Sequence, residues 1–264
     1  MLKLLQMKRP LILVTNDDGI SAPGIRNLIR IMNDFGDVVV VAPDGPQSGM
    51  GHAITIEATL RCDKVVIDEG VQKEYACSGT PVDCVKLAVN QLMDRKPDLC
   101  VSGVNHGSNS SINVIYSGTM SAAVESALEG IPAIGFSLLD FAHNADFSEA
   151  EIYIRKVTES VLKNGMDRGV CLNVNIPKAK ENESIKGIKV CRQALANWEE
   201  EFEERTDPKG RTYYWLTGKF VNYDKGTDTD EWALANHYVS VVPVQFDVTA
   251  YPSISTLNKM LSDE

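Results

Sequence analysis

The chain alternates short apolar runs with segments of helical periodicity, and this pattern constrains its fold more than any other feature. The runs LILVT at 11–15, DVVVVA at 37–42 and DLCVS at 98–102 have the length and composition of buried strands. Residues 24–35 and 80–92 place apolar side chains at helical spacing. Because strands separated by helices form βαβ units, the sequence predicts an α/β fold: a mostly parallel sheet with helices on both faces.

Two parts of the chain depart from this alternation. Residues 53–60 and 64–67 alternate polar and apolar side chains, which predicts an antiparallel ribbon at a sheet edge. In the last third, an acidic run precedes a short aromatic strand at 211–216. We predict a single domain over residues 1–264, with a protruding C-terminal β-hairpin or arm at about residues 189–236 that serves subunit contact.

Composition excludes several classes of function. The formal net charge is −10 with no basic patch, whereas proteins that bind polymeric nucleic acid neutralise phosphates with clustered lysine and arginine. No apolar run approaches the roughly 18–20 residues that a membrane span needs. We therefore expect a protein that binds neither a membrane nor polymeric nucleic acid.

The six cysteines contain no C-x-x-C pair, which argues against a zinc site. The run before Pro10 is short and carries Lys3, Lys8 and Arg9, unlike a secretory leader. The expectation is a cytoplasmic protein with reduced thiols, in which Cys77, Cys84 and Cys100 are small core residues.

The most unusual loops follow the predicted strands that end at Thr15, Ala42 and Ser102. In parallel sheets, ligands bind beyond the carboxyl ends of the strands, where these loops converge. The first loop contains Asp17 and Asp18, whose adjacent carboxylates repel each other unless a cation neutralises them. Oxygen ligands of this kind suit Mg²⁺ or Mn²⁺, although a simple turn with Gly19 at positive φ is the alternative.

The same loop excludes one type of phosphatase. Enzymes of the haloacid-dehalogenase type use D-x-D-G-T after a strand, and the first aspartate is the nucleophile. Here Asn16 occupies that position. An amide cannot form an acyl-phosphate, so we exclude covalent catalysis of that kind.

The other two loops supply further polar groups. Residues 43–52 bring Ser48 and flexible glycines. Residues 102–119 offer Asn105 and Asn109 as oxygen ligands, and SGT at 117–119 leads into a predicted helix whose N-terminus suits an anion. His106 lies between these candidate ligands and is a candidate proton donor to a leaving group.

Together these motifs resemble one family, the SurE survival-protein family of 5′/3′-nucleotidases. The motifs that carry the resemblance are ILVTNDDGI (12–20), VVAPDGPQSGMGHAIT (40–55), CSGTPVDCVKLA (77–88), PDLCVSGVNHGSN (97–109), VIYSGTMSAAVESALEGIPAIGFS (114–137) and TDTDEWALANHYVSVVPV (227–244). The arm from about residue 189 to 224 matches the family only loosely. The resemblance implies a Rossmann-like core and a C-terminal extension that mediates dimers or tetramers.

The resemblance also implies hydrolysis of nucleoside 5′- and 3′-monophosphates with one divalent cation per subunit. The metal ligands of the family fall on Asp17, Asp18, Ser48 and Asn105. Its phosphate-contacting residues fall on Asn109, Ser117, Gly118 and Thr119. The residues alone do not choose Asn105 over Asn109 as the ligand.

We therefore expect a phosphomonoesterase without a protein nucleophile, in which Asp17 or Asp18 orients the attacking water. A nucleotide-binding regulatory protein without turnover is the alternative, because the same loops could bind a phosphate without hydrolysing it. A sugar-nucleotide transferase would need a pocket for a second substrate, which the sequence does not identify.

Overall fold

A computed structural model of the chain describes residues 9–142, 144–178, 180 and 183–262. The expectation of no leader rests on Lys3, Lys8 and Arg9, and of these Lys3 and Lys8 lie outside the described residues. None of the described helices is both long and apolar enough to cross a membrane.

The described strands form a sheet of nine and a separate sheet of two. The strands are β1 (Leu11–Thr15), β2 (Asp37–Pro43), β3 (Cys62–Val65), β4 (Lys73–Cys77), β5 (Leu99–His106), β6 (Ala133–Leu138), β7 (Val170–Ile176), β8 (Ile188–Val190), β9 (Ala196–Thr206), β10 (Thr212–Asn222) and β11 (Val239–Gln245). The large sheet has the order β3-β4-β2-β1-β5-β6-β7-β11-β8. The pairs from β4 through β7 are parallel, and the pairs β3/β4 and β7/β11 are antiparallel. The predicted mostly parallel sheet is confirmed.

Helices cover both faces of this sheet, as predicted. The described α-helices are α1 (Pro23–Met32), α2 (Pro81–Leu87), α3 (Gly118–Leu128), α4 (Ser148–Asn164), α5 (Asp230–Ala235) and α6 (Tyr251–Leu261), of which α6 buries no residue. Apolar side chains of α1 and α4 join the core on one face, and those of α2 and α3 join the core on the other. Strand β1 serves both cores, with Ile12 and Val14 on one side and Leu13 on the other, which explains its continuous apolar sequence.

The antiparallel edge differs from the prediction in its residues. Residues 53–60 form no strand, whereas the segment predicted at 64–67 overlaps β3, which pairs with β4 to form the edge. The alternating segment is held as a loop, because Thr55 donates its backbone N–H and its hydroxyl to the carboxylate of Asp83, at 3.0 and 2.6 Å. The hydroxyl of Thr80 also donates to the carbonyl of Ala53 at 2.8 Å. These bonds satisfy polar groups that a strand would have paired with a neighbour.

The expectation of six reduced thiols is wrong for one pair. Cys62 and Cys77 lie opposite each other on β3 and β4 and form a disulfide. The other four cysteines are free and buried, and burial raises the pKa of both Cys100 and Cys171 to about 12. These thiols are core residues, not nucleophiles.

The two-stranded sheet is a long hairpin of β9 and β10, paired from Ala196/Asn222 to Thr206/Thr212. It falls within the arm predicted at about residues 189–236. Nearly all of its side chains are exposed, including Trp215 at 57%. Its base packs against the 3₁₀ helix Ser111–Ile115, which places part of the hairpin beside the candidate site.

Candidate functional site

The predicted loops converge on one open cavity of about 250 Å³ beyond the carboxyl ends of β1 and β5. The predicted site residues that line it are Asp17, Asp18, Ser48, Asn105, His106, Asn109 and Ser117. Gly118 and Thr119 do not line it, and they lie directly behind Asp17. Asn113, another asparagine of the predicted third loop, also borders the cavity, as do Tyr116 and Phe141, which the sequence did not single out as site residues.

Asp17 is almost completely buried at 3% exposure. The hydroxyl of Thr119 donates a hydrogen bond of 2.5 Å to Oδ1 of Asp17. Burial raises the pKa of the Asp17 carboxyl to about 6, and the neighbouring Asp18 adds to the rise, whereas the bond from Thr119 opposes it. This carboxylate is therefore costly to keep charged without a cation.

Asp18 lies beside Asp17 and is also shielded from solvent. Burial raises the pKa of its carboxyl, and His106 partly offsets that rise. Its Oδ2 atom is buried and has no hydrogen-bond partner among the described residues. A buried carboxylate oxygen without a hydrogen-bond donor is suited to bind a cation.

The turn that carries both aspartates has its own fixed geometry. Gly19 has a φ of +97°, which suits glycine, and its carbonyl accepts a 2.9 Å hydrogen bond from the amide of Asn16. Asn16 therefore has a structural contact, and its amide is unsuited to nucleophilic attack. The turn and a metal site are compatible here, since the turn is what holds the two carboxylates side by side.

Ser48 reaches the cavity from the loop after β2. That loop is bound on either side of Ser48, by a 2.7 Å bond from the N–H of Gln47 to the carbonyl of Asp17 and a 3.2 Å bond from Gly51 to Tyr116. These bonds fix the loop over the carboxylate pair and leave the Ser48 side chain facing the cavity.

Asn105 and His106 end β5. The amide N–H of Asn105 donates to the carbonyl of Gly107 at 2.9 Å, which leaves its oxygen for another partner. The ring of His106 meets Phe147 edge-on, with 5.5 Å between centroids. Its Nδ1 atom is buried with no hydrogen-bond partner among the described residues.

Asn109 is held by a polar network that sequence reasoning missed. Its amide donates to the hydroxyl of Ser137, its backbone N–H donates to Asn175, and its carbonyl accepts from Asn173, each at 2.8 Å. The amide of Asn175 in turn donates to Asn173 at 2.9 Å. The signal was present: two asparagines interrupt β7, an otherwise apolar buried strand.

Helix α3 starts at this cavity. The hydroxyl of Ser117 accepts the N–H of Met120 at 3.0 Å and caps the helix, so the helix N-terminus offers its remaining N–H groups to an anion. A Cβ atom on Gly118 would lie 2.7 Å from the Cβ of Asp17. Only glycine therefore lets the helix start this close to the carboxylate.

The donor set fits a hard divalent cation. No three histidine, cysteine or acidic side chains of the described residues cluster into a metal-binding group. A cation in this cavity would rely on two carboxylates with neutral hydroxyl and amide oxygens, which is the chemistry of Mg²⁺ or Mn²⁺ sites and not of zinc sites.

Comparison with known proteins gives consistent family matches. Residues 12–200 match the family model described as Survival protein SurE. A protein named 5′-nucleotidase SurE from Christiangramia forsetii is 69% identical over 95% of this chain and 96% of its own length. One of the same name from Flavobacterium psychrophilum is 68% identical over 96% and 98%.

A solved structure extends the agreement to the fold. The crystal structure of the SurE protein from Aquifex aeolicus superposes with a TM-score of 0.81 at 37% identity, covering 96% of this chain and all of that one. The sequence match, the fold and the shared length all point the same way: the chain belongs to the SurE survival-protein family.

Proposed function

We propose that the protein is a divalent-metal-dependent phosphomonoesterase that hydrolyses nucleoside 5′- and 3′-monophosphates to nucleoside and phosphate. The observation that carries the proposal is the buried Asp17–Asp18 pair beside the N-terminus of α3, in one cavity. This arrangement joins a cation site to an anion site, as phosphoryl transfer requires. The relatives named 5′-nucleotidase support the choice of substrate.

Four residues would hold one cation, Mg²⁺ or Mn²⁺, in each subunit: Asp17, Asp18, Ser48 and Asn105. The Oδ2 atom of Asp18, which has no hydrogen-bond partner within the described part of the chain, and the burial of the Asp17 carboxylate support this assignment. A cation held there would supply Lewis-acid polarisation of the phosphoryl group.

The remaining chemistry belongs to the side chains and the helix. Asn109 and the backbone around Ser117, Gly118 and Thr119 bind the phosphate oxygens and stabilise their growing negative charge. Asp17 or Asp18 orients the attacking water. His106, at the wall of the same cavity, delivers a proton to the departing nucleoside oxygen.

We further propose that the subunits assemble as a homodimer or homotetramer through the exposed hairpin of β9 and β10. A cytoplasmic location agrees with the substrate, since nucleoside monophosphates are intracellular metabolites. The net charge of −10 supports a small-molecule substrate and not polymeric nucleic acid.

The direct test measures phosphate release from a panel of 5′- and 3′-monophosphates with Mg²⁺ or Mn²⁺, with EDTA and after the metal is restored. We expect turnover that EDTA abolishes and Mn²⁺ or Mg²⁺ restores. Asp18→Asn should lower the rate and the metal affinity together. Tight binding of an intact nucleotide with no turnover would instead identify the non-catalytic regulatory alternative.

A further inference from the structure

A second cavity, of about 450 Å³, adjoins the first. It is lined by Tyr116, Trp198, Glu200, Leu216, Thr217 and Gly218, and its surface is mostly apolar. Tyr116 borders both cavities. The two cavities therefore meet at this residue, and a ligand that reached from one to the other would pass it.

Tyr116, the residue that borders both cavities, lies close to the start of α3. Tyr116 directly precedes Ser117, the residue that caps α3. Its carbonyl accepts the N–H of Gly51, so its backbone is bound to the Ser48 loop. An aromatic ring thus lies one residue away from the start of the anion-binding helix, and it is half exposed at 48%.

Trp198 supplies a second aromatic surface from the base of the hairpin. Its indole Nε1–H donates a 2.8 Å hydrogen bond to Oδ1 of Asn113, a residue that borders the first cavity. Phe220 packs against the indole edge-on, with 5.6 Å between centroids. The polar atom of the indole is satisfied and its ring is held in place, yet 41% of the residue remains exposed. An immobilised, open aromatic ring of this kind suits a stacking partner.

The second cavity contains the carboxylate of Glu200, whereas the first combines the proposed cation site with the N-terminus of α3. This carboxylate repels a phosphate group, whereas it can accept hydrogen bonds from the amino groups of a planar heterocycle. A ligand with an anionic end and an aromatic end therefore has one favoured orientation across the two cavities.

We propose that the cavity between Tyr116 and Trp198 binds the nucleobase of the substrate while its phosphate lies at the N-terminus of α3. This inference rests on the proposed function and assigns the base of the β9–β10 hairpin a role in substrate recognition, in addition to any role in assembly. Stacking on an aromatic ring is tolerant of base identity, so the cavity accepts nucleosides as a class, with amino-bearing bases favoured by Glu200.

The first test compares substrates with and without a base. We would measure kcat/KM for adenosine 5′-monophosphate and for ribose 5-phosphate in the full-length protein and in Trp198→Leu. Stacking of a base on an aromatic side chain typically supplies about tenfold or more in affinity. We expect the ratio of the two kcat/KM values to fall by about tenfold in Trp198→Leu, mainly through KM for the nucleotide.

Two further variants serve as controls. Trp215→Leu removes a more exposed tryptophan of the same hairpin that does not line the cavity, so it should keep the wild-type ratio. Trp198→Phe keeps an aromatic ring without the bond to Asn113, and it should recover part of the lost ratio. The inference would be overturned if the ratio of kcat/KM for adenosine 5′-monophosphate to that for ribose 5-phosphate differed by less than twofold between Trp198→Leu and Trp215→Leu.

The second test needs no turnover. The chain has three tryptophans, so the indole N–H signals can be resolved by NMR in ¹⁵N-labelled protein and assigned with Trp198→Phe. Saturable movement of the Trp198 signal by adenosine supports the inference, even if no phosphate ester is hydrolysed and the proposed function fails. A Trp198 signal that does not move at millimolar adenosine overturns it, even if the enzyme is active.

Discussion

The hydroxyl of Thr119 donates a 2.5 Å hydrogen bond to Oδ1 of Asp17, although the two residues are 102 positions apart in the chain. This bond joins the loop after β1 to the first turn of α3. The carboxylate that would bind the cation and the helix that would bind the phosphate are therefore fixed relative to each other. A change at either residue should alter both functions.

Thr119→Val should weaken metal binding at neutral and lower pH. The bond from Thr119 lowers the pKa of Asp17 against the effect of burial, so its loss should raise that pKa above about 6. Because protons and metal compete for the carboxylate, the Mn²⁺ affinity of the wild type should fall as the pH drops below about 6. In the variant, this fall in affinity should begin at a higher pH than in the wild type. Near pH 7 we expect a loss on the order of tenfold, from the usual strength of a hydrogen bond to a charged group.

Isothermal titration calorimetry with Mn²⁺ from pH 5 to 8 would measure this shift. Thr119→Ser keeps the hydroxyl and should follow the wild-type curve. The prediction would be contradicted if the pH at which Mn²⁺ affinity falls to half of its maximum were the same or lower in Thr119→Val than in the wild type.

Asp17→Asn should stabilise the metal-free protein while destroying activity. The folded-state pKa of Asp17 is raised from 3.8 to about 6, so the native state binds the proton more tightly than the unfolded state. The wild type therefore loses stability as the pH rises from about 4 to about 6, and it stays less stable above that range. A shift of about 2 pKa units corresponds to about 3 kcal/mol, which the variant should recover.

Urea unfolding in EDTA at pH 4 and pH 7.5 would test this, because the difference between the proteins should appear only at the higher pH. Asp44→Asn removes an exposed carboxylate nearby and should show no such change. With saturating Mn²⁺ the order should reverse, since only the wild type gains the full free energy of metal binding. Equal stability of Asp17→Asn and wild type in EDTA at pH 7.5 would show that the buried charge is not costly.

The sequence predicted the sheet and the loops that line the candidate site because both depend on local patterns. Continuous apolar runs such as LILVT are typical of strands buried on both faces, and β1 is buried in this way. The rule that ligands bind at the carboxyl ends of parallel strands then selected the loops that line the cavity. These steps required no knowledge of contacts between distant residues.

The sequence failed where pairing between distant residues decides the outcome. Residues 53–60 alternate as a strand would, yet hydrogen bonds to Thr80 and Asp83 hold the segment as a loop. The bond from Thr119 to Asp17 and the asparagine network behind Asn109 also join residues far apart in the chain. No local periodicity encodes such partners, although polar residues in a buried strand such as β7 can mark their location.

Gly118→Ala should damage activity through Asp17. The new Cβ would lie 2.7 Å from the Cβ and 2.9 Å from Oδ2 of Asp17, so the carboxylate or the helix start must move. Displacement of a reacting group by about 1 Å can cost on the order of 100-fold in rate, and we expect a loss of kcat/KM of that size. Gly45→Ala places a Cβ where no atom lies within 4 Å and should be nearly neutral in the same assay. Activity of Gly118→Ala within threefold of Gly45→Ala would show that the close approach has no role.

His106→Gln should lower kcat in a way that depends on the leaving group. His106 borders the cavity with an unpartnered Nδ1 and with its ring against Phe147, which suits a proton donor held in one orientation. General acid catalysis contributes typically 10²–10⁴-fold when the leaving group is a poor one such as a nucleoside alkoxide. It contributes little to departure of p-nitrophenolate, which leaves without a proton.

We therefore expect His106→Gln to lose about 100-fold with adenosine 5′-monophosphate and only a few-fold with p-nitrophenyl phosphate, measured as kcat at saturating Mn²⁺. An equal loss with both substrates would instead assign His106 a role in positioning Asp18, whose carboxyl lies close enough for His106 to affect its pKa.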